Sequence, residues 1–137
     1  MKLTQQSKVM DKYIALISHD GKKPEMVSLV LKNIELLKKH KLVATGTTGG
    51  LVKDAGLDVQ LLQSGPKGGD AQIATMAVEG KLKCVIFLVD PLEAHPHQVD
   101  VNMLLRICNV HNIVLATNVA TANLIIKELN DNYENNE

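Results

Sequence analysis

The sequence contains very few aromatic residues and no excess of charge of either sign. Of its 137 residues, two are Tyr, one is Phe and none is Trp. Proteins that bind single-stranded nucleic acids usually stack the bases on aromatic side chains, so this class of function loses its main support. The 15 basic residues are balanced by 15 acidic residues. General electrostatic attraction to DNA or to a membrane surface is therefore also disfavoured.

The sequence also lacks a membrane-length apolar run and a framework of paired cysteines. No segment approaches the roughly 18 to 20 apolar residues of a membrane-spanning helix, and the N-terminus has no continuous apolar stretch of the signal-peptide type. The two cysteines, Cys84 and Cys108, lie in separate apolar runs, which predicts buried, reduced thiols. Together these features predict a cytoplasmic protein.

What the sequence does contain is a regular alternation of short apolar runs and longer segments with helical spacing. The apolar runs are typical of strands buried on both faces of a parallel sheet, and they cover residues 13–18, 42–45, 59–63, 84–90 and 113–118. Helices are predicted at residues 24–41, 50–56, 70–78, 101–111 and 120–129, and the first should bury Val27, Val30, Leu31, Ile34 and Leu37.

This alternation predicts a single α/β domain over residues 1–137, with a polar, frayed tail from about residue 130. Strands separated by helices form right-handed crossovers and a parallel sheet covered on both faces. The expected architecture is a Rossmann-like, three-layer α/β/α domain with a central, mostly parallel five-stranded sheet.

Polar or glycine-rich segments follow each predicted strand. In open parallel sheets, ligands bind outside the carboxyl ends of the strands, so we expect these segments to meet at one edge. They are SHDGKK (18–23), TGTTGG (45–50), SGPKGGD (64–70), DPLEAHPHQVD (90–100) and TNVATAN (117–123). The functional site is predicted at this edge.

The TGTTGG segment has the composition of an anion site. Glycines allow backbone N–H groups to approach an oxyanion, and the positive end of the following helix attracts negative charge. The segment lacks the lysine of a Walker P-loop and does not match the dinucleotide-binding fingerprint. Alone, it also fits a tight turn with capping threonines. The second glycine-rich segment, after the next strand, favours a site for phosphate or another small anion.

Ionisable residues accumulate in the same segments, namely Asp20, Asp70, Asp90, Asp100, His19, His95 and His97. Several carboxylates beside an anion site need a chemical reason, although each can instead cap a helix or form a turn. A functional role is favoured for Asp70, which follows two glycines, and a structural role for Asp90, whereas Asp20 and Asp100 stay open. Two histidines with Asp100 also allow a zinc site, which ranks low because no second ligand cluster completes it.

Six segments in order resemble the signature motifs of the bacterial methylglyoxal synthase family. They are SHDGKK, ATGTTG, SGPKGGDAQI, FLVDPLEAHPHQVDV, LLRICNVHNI and LATNVATA, and the resemblance spans about residues 14–126. It implies a three-layer α/β/α domain of the MGS-like type. The implied activity is a carbon–oxygen lyase that converts dihydroxyacetone phosphate to methylglyoxal and inorganic phosphate, without a metal or organic cofactor. It also implies a homohexamer that inorganic phosphate inhibits.

The resemblance further implies roles for individual residues. The implied catalytic residues are Asp70, as the base, and His97, which polarises oxygens and moves protons. The implied substrate-binding residues are His19, Lys23, Thr45, Gly46, Thr47, Thr48, Ser64 and Gly65. Asp20, Asp90 and Asp100 match acidic positions that orient or tune the site. Two alternatives stay open: a non-catalytic domain of the same fold that senses phosphate or a small metabolite, and a metal-dependent hydrolase.

Overall fold

A computed structural model of the protein describes residues 12–92 and 101–135. Within these two ranges the strands are β1 (Tyr13–Ser18), β2 (Lys41–Thr45), β3 (Val59–Leu62), β4 (Leu82–Leu88) and β5 (Val114–Ala116). The helices are α1 (Lys23–Lys32), α2 (Ile34–Leu37), α3 (Gly46–Asp54), α4 (Gly69–Val78), α5 (Val101–Val110) and α6 (Val119–Asn135). Two 3₁₀ turns, Asp20–Lys22 and Gly65–Lys67, precede α1 and α4.

The five strands form one sheet in the order β3-β2-β1-β4-β5. All neighbouring pairs are parallel. In the central strand, Ile14 is paired with Leu42 of β2 and with Cys84 of β4. The strand order reverses between β1 and β4, and ligands of open α/β sheets bind beside such a reversal, at the carboxyl ends of the strands.

Side chains alternate between the two faces of the sheet. In β1, Ile14 and Leu16 pack on one face with residues of α1, α2, α3 and α6. Ala15 and Ile17 pack on the other face with residues of α4 and α5. This arrangement confirms the predicted three-layer α/β/α architecture and gives the site a rigid support.

Both cysteines are free and buried, as predicted. Burial raises the pKa of the Cys84 thiol to about 12, and burial also raises the pKa of Cys108. A thiol that stays protonated is a poor nucleophile. Neither cysteine is therefore a candidate catalytic group.

The first helical segment differs from the prediction. It is divided at Asn33, which has φ −117° and whose side-chain amide donates to Leu29 O at 2.8 Å. The prediction of the buried face treated residues 24–41 as one continuous helix that crosses this break. As a result Leu31, predicted to be buried, is 53% exposed, whereas Met26 and Leu29 are buried.

The last helix is longer than predicted. α6 continues to Asn135, so most of the predicted polar tail is helical. No glycine or proline interrupts residues 119–135, and extending an existing helix costs much less than starting one. Within the described residues, no helix has the length and apolar character that a membrane crossing requires.

A polar pair lies at the opposite edge of the sheet from the predicted site. Lys83 Nζ is 2.7 Å from His40 Nδ1, and both residues are half-buried. Burial, followed by the charges of Lys83 and Lys39, lowers the pKa of His40 to about 4. The imidazole is therefore neutral at neutral pH, and its Nδ1 accepts a hydrogen bond from the Lys83 ammonium.

We expect the free energy of unfolding to fall as the pH drops from 6.5 to about 4. In this window the unfolded chain binds a proton at His40 and the folded chain does not, so acid favours unfolding. Partial exposure of the ring limits the size of the effect. Urea unfolding across this window measures it: His40→Asn should flatten the pH dependence, and the exposed control His111→Asn should not. An unchanged pH dependence in His40→Asn would contradict this account.

Candidate active site

The carboxyl ends of β1 and β4 are joined where the strand order reverses. His19 directly follows β1, is 4% exposed, and donates its backbone N–H to Leu88 O at 3.1 Å. Its Nδ1 accepts the backbone N–H of Asp90 at 2.9 Å, and its ring meets Phe87 edge-on, with centroids 5.1 Å apart. A backbone N–H can only donate, so Nδ1 carries no proton. In the neutral ring, Nε2 is therefore the N–H donor.

The carboxyl end of β1 is also joined to the start of α3. Ser18 Oγ and Thr48 Oγ1 lie 2.9 Å apart in a buried hydrogen bond. Thr45, which precedes α3, is buried as well, whereas Thr47 is exposed. The threonines of the TGTTGG segment therefore sit on a fixed support, with Thr47 open to solvent.

The TGTTGG segment is the beginning of α3 rather than a separate loop. The helix starts at Gly46, whereas the predicted helix follows Gly49 and starts four residues later. Thr45 is still extended and Gly46 has φ +47°, a left-handed conformation that favours glycine. The first backbone N–H groups of a helix have no intrahelical acceptor, and the helix dipole makes this end positive. The segment can therefore offer several N–H donors to an anion.

The SGPKGGD segment packs directly on this helix start. The Gly46 N–H donates to Gln63 O at 3.2 Å. A Cβ atom on Gly46 would lie 2.9 Å from Ser64 Cα, so only glycine allows this approach. The chain after β3 thus places Ser64 against the N-terminus of α3.

Asp70 is positioned by the same segment. The chain passes through the 3₁₀ turn Gly65–Lys67 and then through Gly68, which has φ +108°. α4 begins at Gly69, and the half-buried Asp70 lies in its first turn. Asp70 Oδ1 accepts the N–H of Ala71 at 2.8 Å. A rigid helix, rather than a free loop, therefore carries the candidate base.

Lys23 and Asp20 form an ion pair at the start of α1. The Lys23 side chain is only 18% exposed, whereas Asp20 is 87% exposed. The Lys23 side chain therefore packs against the protein, and the Asp20 carboxylate lies on its solvent side.

Asp90 makes two hydrogen bonds in the chain that follows β4. Its N–H fixes the His19 ring, and its Oδ1 accepts the N–H of Leu92 at 3.1 Å. The neighbouring Val89 N–H donates to Thr117 O at 3.2 Å, which joins the fifth predicted segment to the same edge.

Three candidate residues, His95, His97 and Asp100, lie outside the described residues. Their roles stay predictions. Within residues 12–92 and 101–135, no cluster of His, Cys, Asp and Glu has the composition of a metal site. The zinc hypothesis depends on residues outside these ranges.

The sequence analysis did not predict two residues that make contacts at this edge. Ser18 supports Thr48, and Gln72 Oε1 accepts the backbone N–H of Gln63 at 2.8 Å. Ser18 lies within a quoted motif, but nothing in the sequence indicates its partner, 30 positions away. Gln72 is an ordinary residue for an exposed helix position, so no sequence signal marks it.

Comparison with known proteins identifies the class of protein to which this chain is similar. A family model described as the MGS-like domain matches residues 25–117. Over 116 residues, the chain is 52% identical to the methylglyoxal synthase of Clostridium beijerinckii, an alignment that covers 84% of this chain and 98% of that protein. It is 55% identical over 117 residues to the methylglyoxal synthase of Caldicellulosiruptor saccharolyticus, with coverages of 85% and 83%.

A solved structure agrees with these sequence relatives. The crystal structure of methylglyoxal synthase from Elizabethkingia anophelis is similar with a TM-score of 0.82 and 45% identity, over 85% of this chain and 78% of that chain. The chain belongs to the methylglyoxal synthase family.

Proposed function

We propose that this chain is a methylglyoxal synthase whose active site lies at the carboxyl edge of the sheet. The enzyme is a carbon–oxygen lyase that converts dihydroxyacetone phosphate to methylglyoxal and inorganic phosphate. The observation that carries the proposal is that Ser18, His19, Gly46 and Gln63, at the ends of three strands, are hydrogen-bonded into one rim that also includes the end of β4. The named relatives support the same reaction.

The phosphate group of the substrate is bound at the start of α3. Backbone N–H groups of this first turn and the hydroxyls of Thr45, Thr47 and Thr48 are the donors. Ser64, which packs against Gly46 at this turn, and the following Gly65 complete the phosphate site. The Lys23 ammonium adds a positive charge.

Asp70 is the general base. Its carboxylate removes a proton from the hydroxymethyl carbon, and the electron pair of that C–H bond forms an enediolate with the adjacent carbonyl. The enediolate then expels phosphate: its terminal hydroxyl passes a proton to the central oxygen, directly or through a neighbouring acid–base group, and becomes the aldehyde C=O. The double bond shifts to the third carbon, which carries the phosphate ester, and the bond from this carbon to the phosphate oxygen breaks. Protonation of the resulting enol at this third carbon gives methylglyoxal.

Hydrogen-bond donors stabilise the charge that develops on the substrate oxygens. His19 is suited to this because its ring is fixed by Asp90 and Phe87 and its Nε2 is the donor. His97 is assigned the polarising and proton-transfer role by the family resemblance. Elimination is favoured when the bond to phosphate stands perpendicular to the enediolate plane, so a rigid phosphate cradle also favours elimination over isomerisation.

The acidic neighbours act on these groups rather than on the substrate. Asp20 orients Lys23 through their ion pair, and Asp90 orients His19 through its backbone N–H. Asp100 is assigned a supporting role by the resemblance alone. We further propose a cytoplasmic homohexamer that inorganic phosphate, as product, inhibits, and that needs no metal or organic cofactor.

The proposed function is tested by incubating the purified protein with dihydroxyacetone phosphate in the presence of a chelator. We expect methylglyoxal and phosphate in equal amounts, at the same rate with and without chelator. Loss of activity with chelator would instead support a metal-dependent enzyme. Binding of phosphate without any product would support a non-catalytic sensing domain and would contradict the proposal.

A further inference from the structure

We infer that Gln72 is a positioning residue that locks the chain carrying Ser64 and Asp70 to the end of β3. The inference rests on the proposed function, in which these residues bind phosphate and remove the substrate proton. Gln72 lies on the exposed side of α4, two residues after Asp70, and it is not among the catalytic residues.

The contact has a defined direction. Gln72 Oε1 lies 2.8 Å from the backbone nitrogen of Gln63. Since a backbone N–H can only donate, the oxygen of the Gln72 amide must face it. The Gln72 side chain, on α4, therefore takes the place of a further sheet hydrogen bond at the point where β3 ends.

The backbone of Gln63 is hydrogen-bonded at both its N–H and its C=O. Its N–H donates to Gln72, and its neighbouring carbonyl oxygen accepts the N–H of Gly46 at 3.2 Å. Gln72 is thus connected through Gln63 to the first residue of α3, where phosphate is proposed to bind.

The chain around Gln63 has little freedom to adjust. The Gly69 N–H donates to Ser64 O at 2.8 Å. A Cβ atom on Gly69 would lie 2.0 Å from Gln63 O. Gly69 is the residue directly before Asp70, so a shift of the Gln63 carbonyl must move the start of α4. Gln72 therefore controls where the Asp70 carboxylate sits relative to the phosphate cradle.

Three variants separate this role from a general effect on the helix. Gln72→Met keeps the length and helix propensity of the side chain but removes the acceptor. Gln72→Glu keeps an acceptor oxygen at the same position. Thr75→Val is the matched control, because it removes a hydroxyl that donates within α4, to Ala71 O at 2.9 Å.

The first measurement is hydrogen exchange at the Gln63 amide by NMR. We expect exchange to become about fivefold faster in Gln72→Met, as for the loss of one ordinary hydrogen bond. Gln72→Glu and Thr75→Val should retain wild-type protection. Unchanged protection in Gln72→Met would overturn the inference without bearing on the proposed function.

The second measurement is turnover of dihydroxyacetone phosphate. We expect kcat to fall about tenfold in Gln72→Met, because small displacements of a reacting group are costly, and to stay within about threefold of wild type in Gln72→Glu. The added charge of Glu should raise KM only. Equal losses of kcat in both variants would overturn the positioning role. If the unmodified protein makes no methylglyoxal, the proposed function fails, and Gln72 is then judged by amide exchange and by affinity for inorganic phosphate.

Discussion

Replacing Asp70 with asparagine is expected to remove turnover while the fold and the anion site stay intact. Asparagine has nearly the same shape and keeps an oxygen that accepts the Ala71 N–H, which Asp70 Oδ1 accepts at 2.8 Å. It has no basic carboxylate, so it cannot take the substrate proton. General base catalysis typically contributes 10²- to 10⁴-fold, and we expect kcat to fall by about 10³-fold or more.

The outcome is measured as kcat for methylglyoxal formation together with the affinity for inorganic phosphate by calorimetry. Phosphate should bind to Asp70→Asn at least as tightly as to the wild type, because a negative charge near the anion is removed. Asp58→Asn is the matched control, since Asp58 is exposed and precedes β3 at the opposite edge of the sheet. Turnover of Asp70→Asn within about tenfold of wild type would show that another group is the base.

Replacing Gly69 with alanine is expected to have the second largest effect, on both stability and activity. The new Cβ atom would lie 2.0 Å from Gln63 O and 3.0 Å from Ser64 C. Both contacts are with backbone, so no flexible side chain can move aside. We expect a loss of about 3 kcal/mol in the free energy of unfolding, at the upper end for overpacked sites. Because Asp70 follows directly, kcat should fall about 100-fold as well.

Gly50→Ala is the control for the glycine prediction. Gly50 lies in α3, and a Cβ atom there would meet nothing within 4 Å. Alanine in a helix is more favourable than glycine by up to about 1 kcal/mol, so this variant should be neutral or slightly more stable in urea. A Gly69→Ala variant as stable and active as Gly50→Ala would contradict the close packing at the start of α4.

Much of the fold could be predicted because each strand is a short apolar run buried on both faces. β1 has the predicted bounds, residues 13–18, and the other strands differ by one or two residues at an end. The break at Asn33 was missed because the apolar spacing continues across it. The early start of α3 was missed because Gly46 enters the helix with a left-handed φ, which composition does not reveal.

The candidate site was predictable in its location but not in its internal contacts. Parallel strands bring their carboxyl ends to one edge, so His19, Thr48 and Ser64 could be placed together from topology alone. The bonds that fix them depend on side-chain geometry between distant positions. Ser18 meets Thr48, and Gln72 meets the backbone of Gln63, and neither pair has a spacing rule that reveals it.

The central claim is that the chain eliminates phosphate through an enediolate, and carrying out the reaction in deuterated water tests it most directly. NMR of the product should show methylglyoxal with one deuterium in its methyl group, because the enol is protonated by solvent after phosphate leaves. Methylglyoxal incubated alone in the same buffer corrects for slow exchange. A methyl group without deuterium, or an aldose phosphate as the main product, would contradict the account.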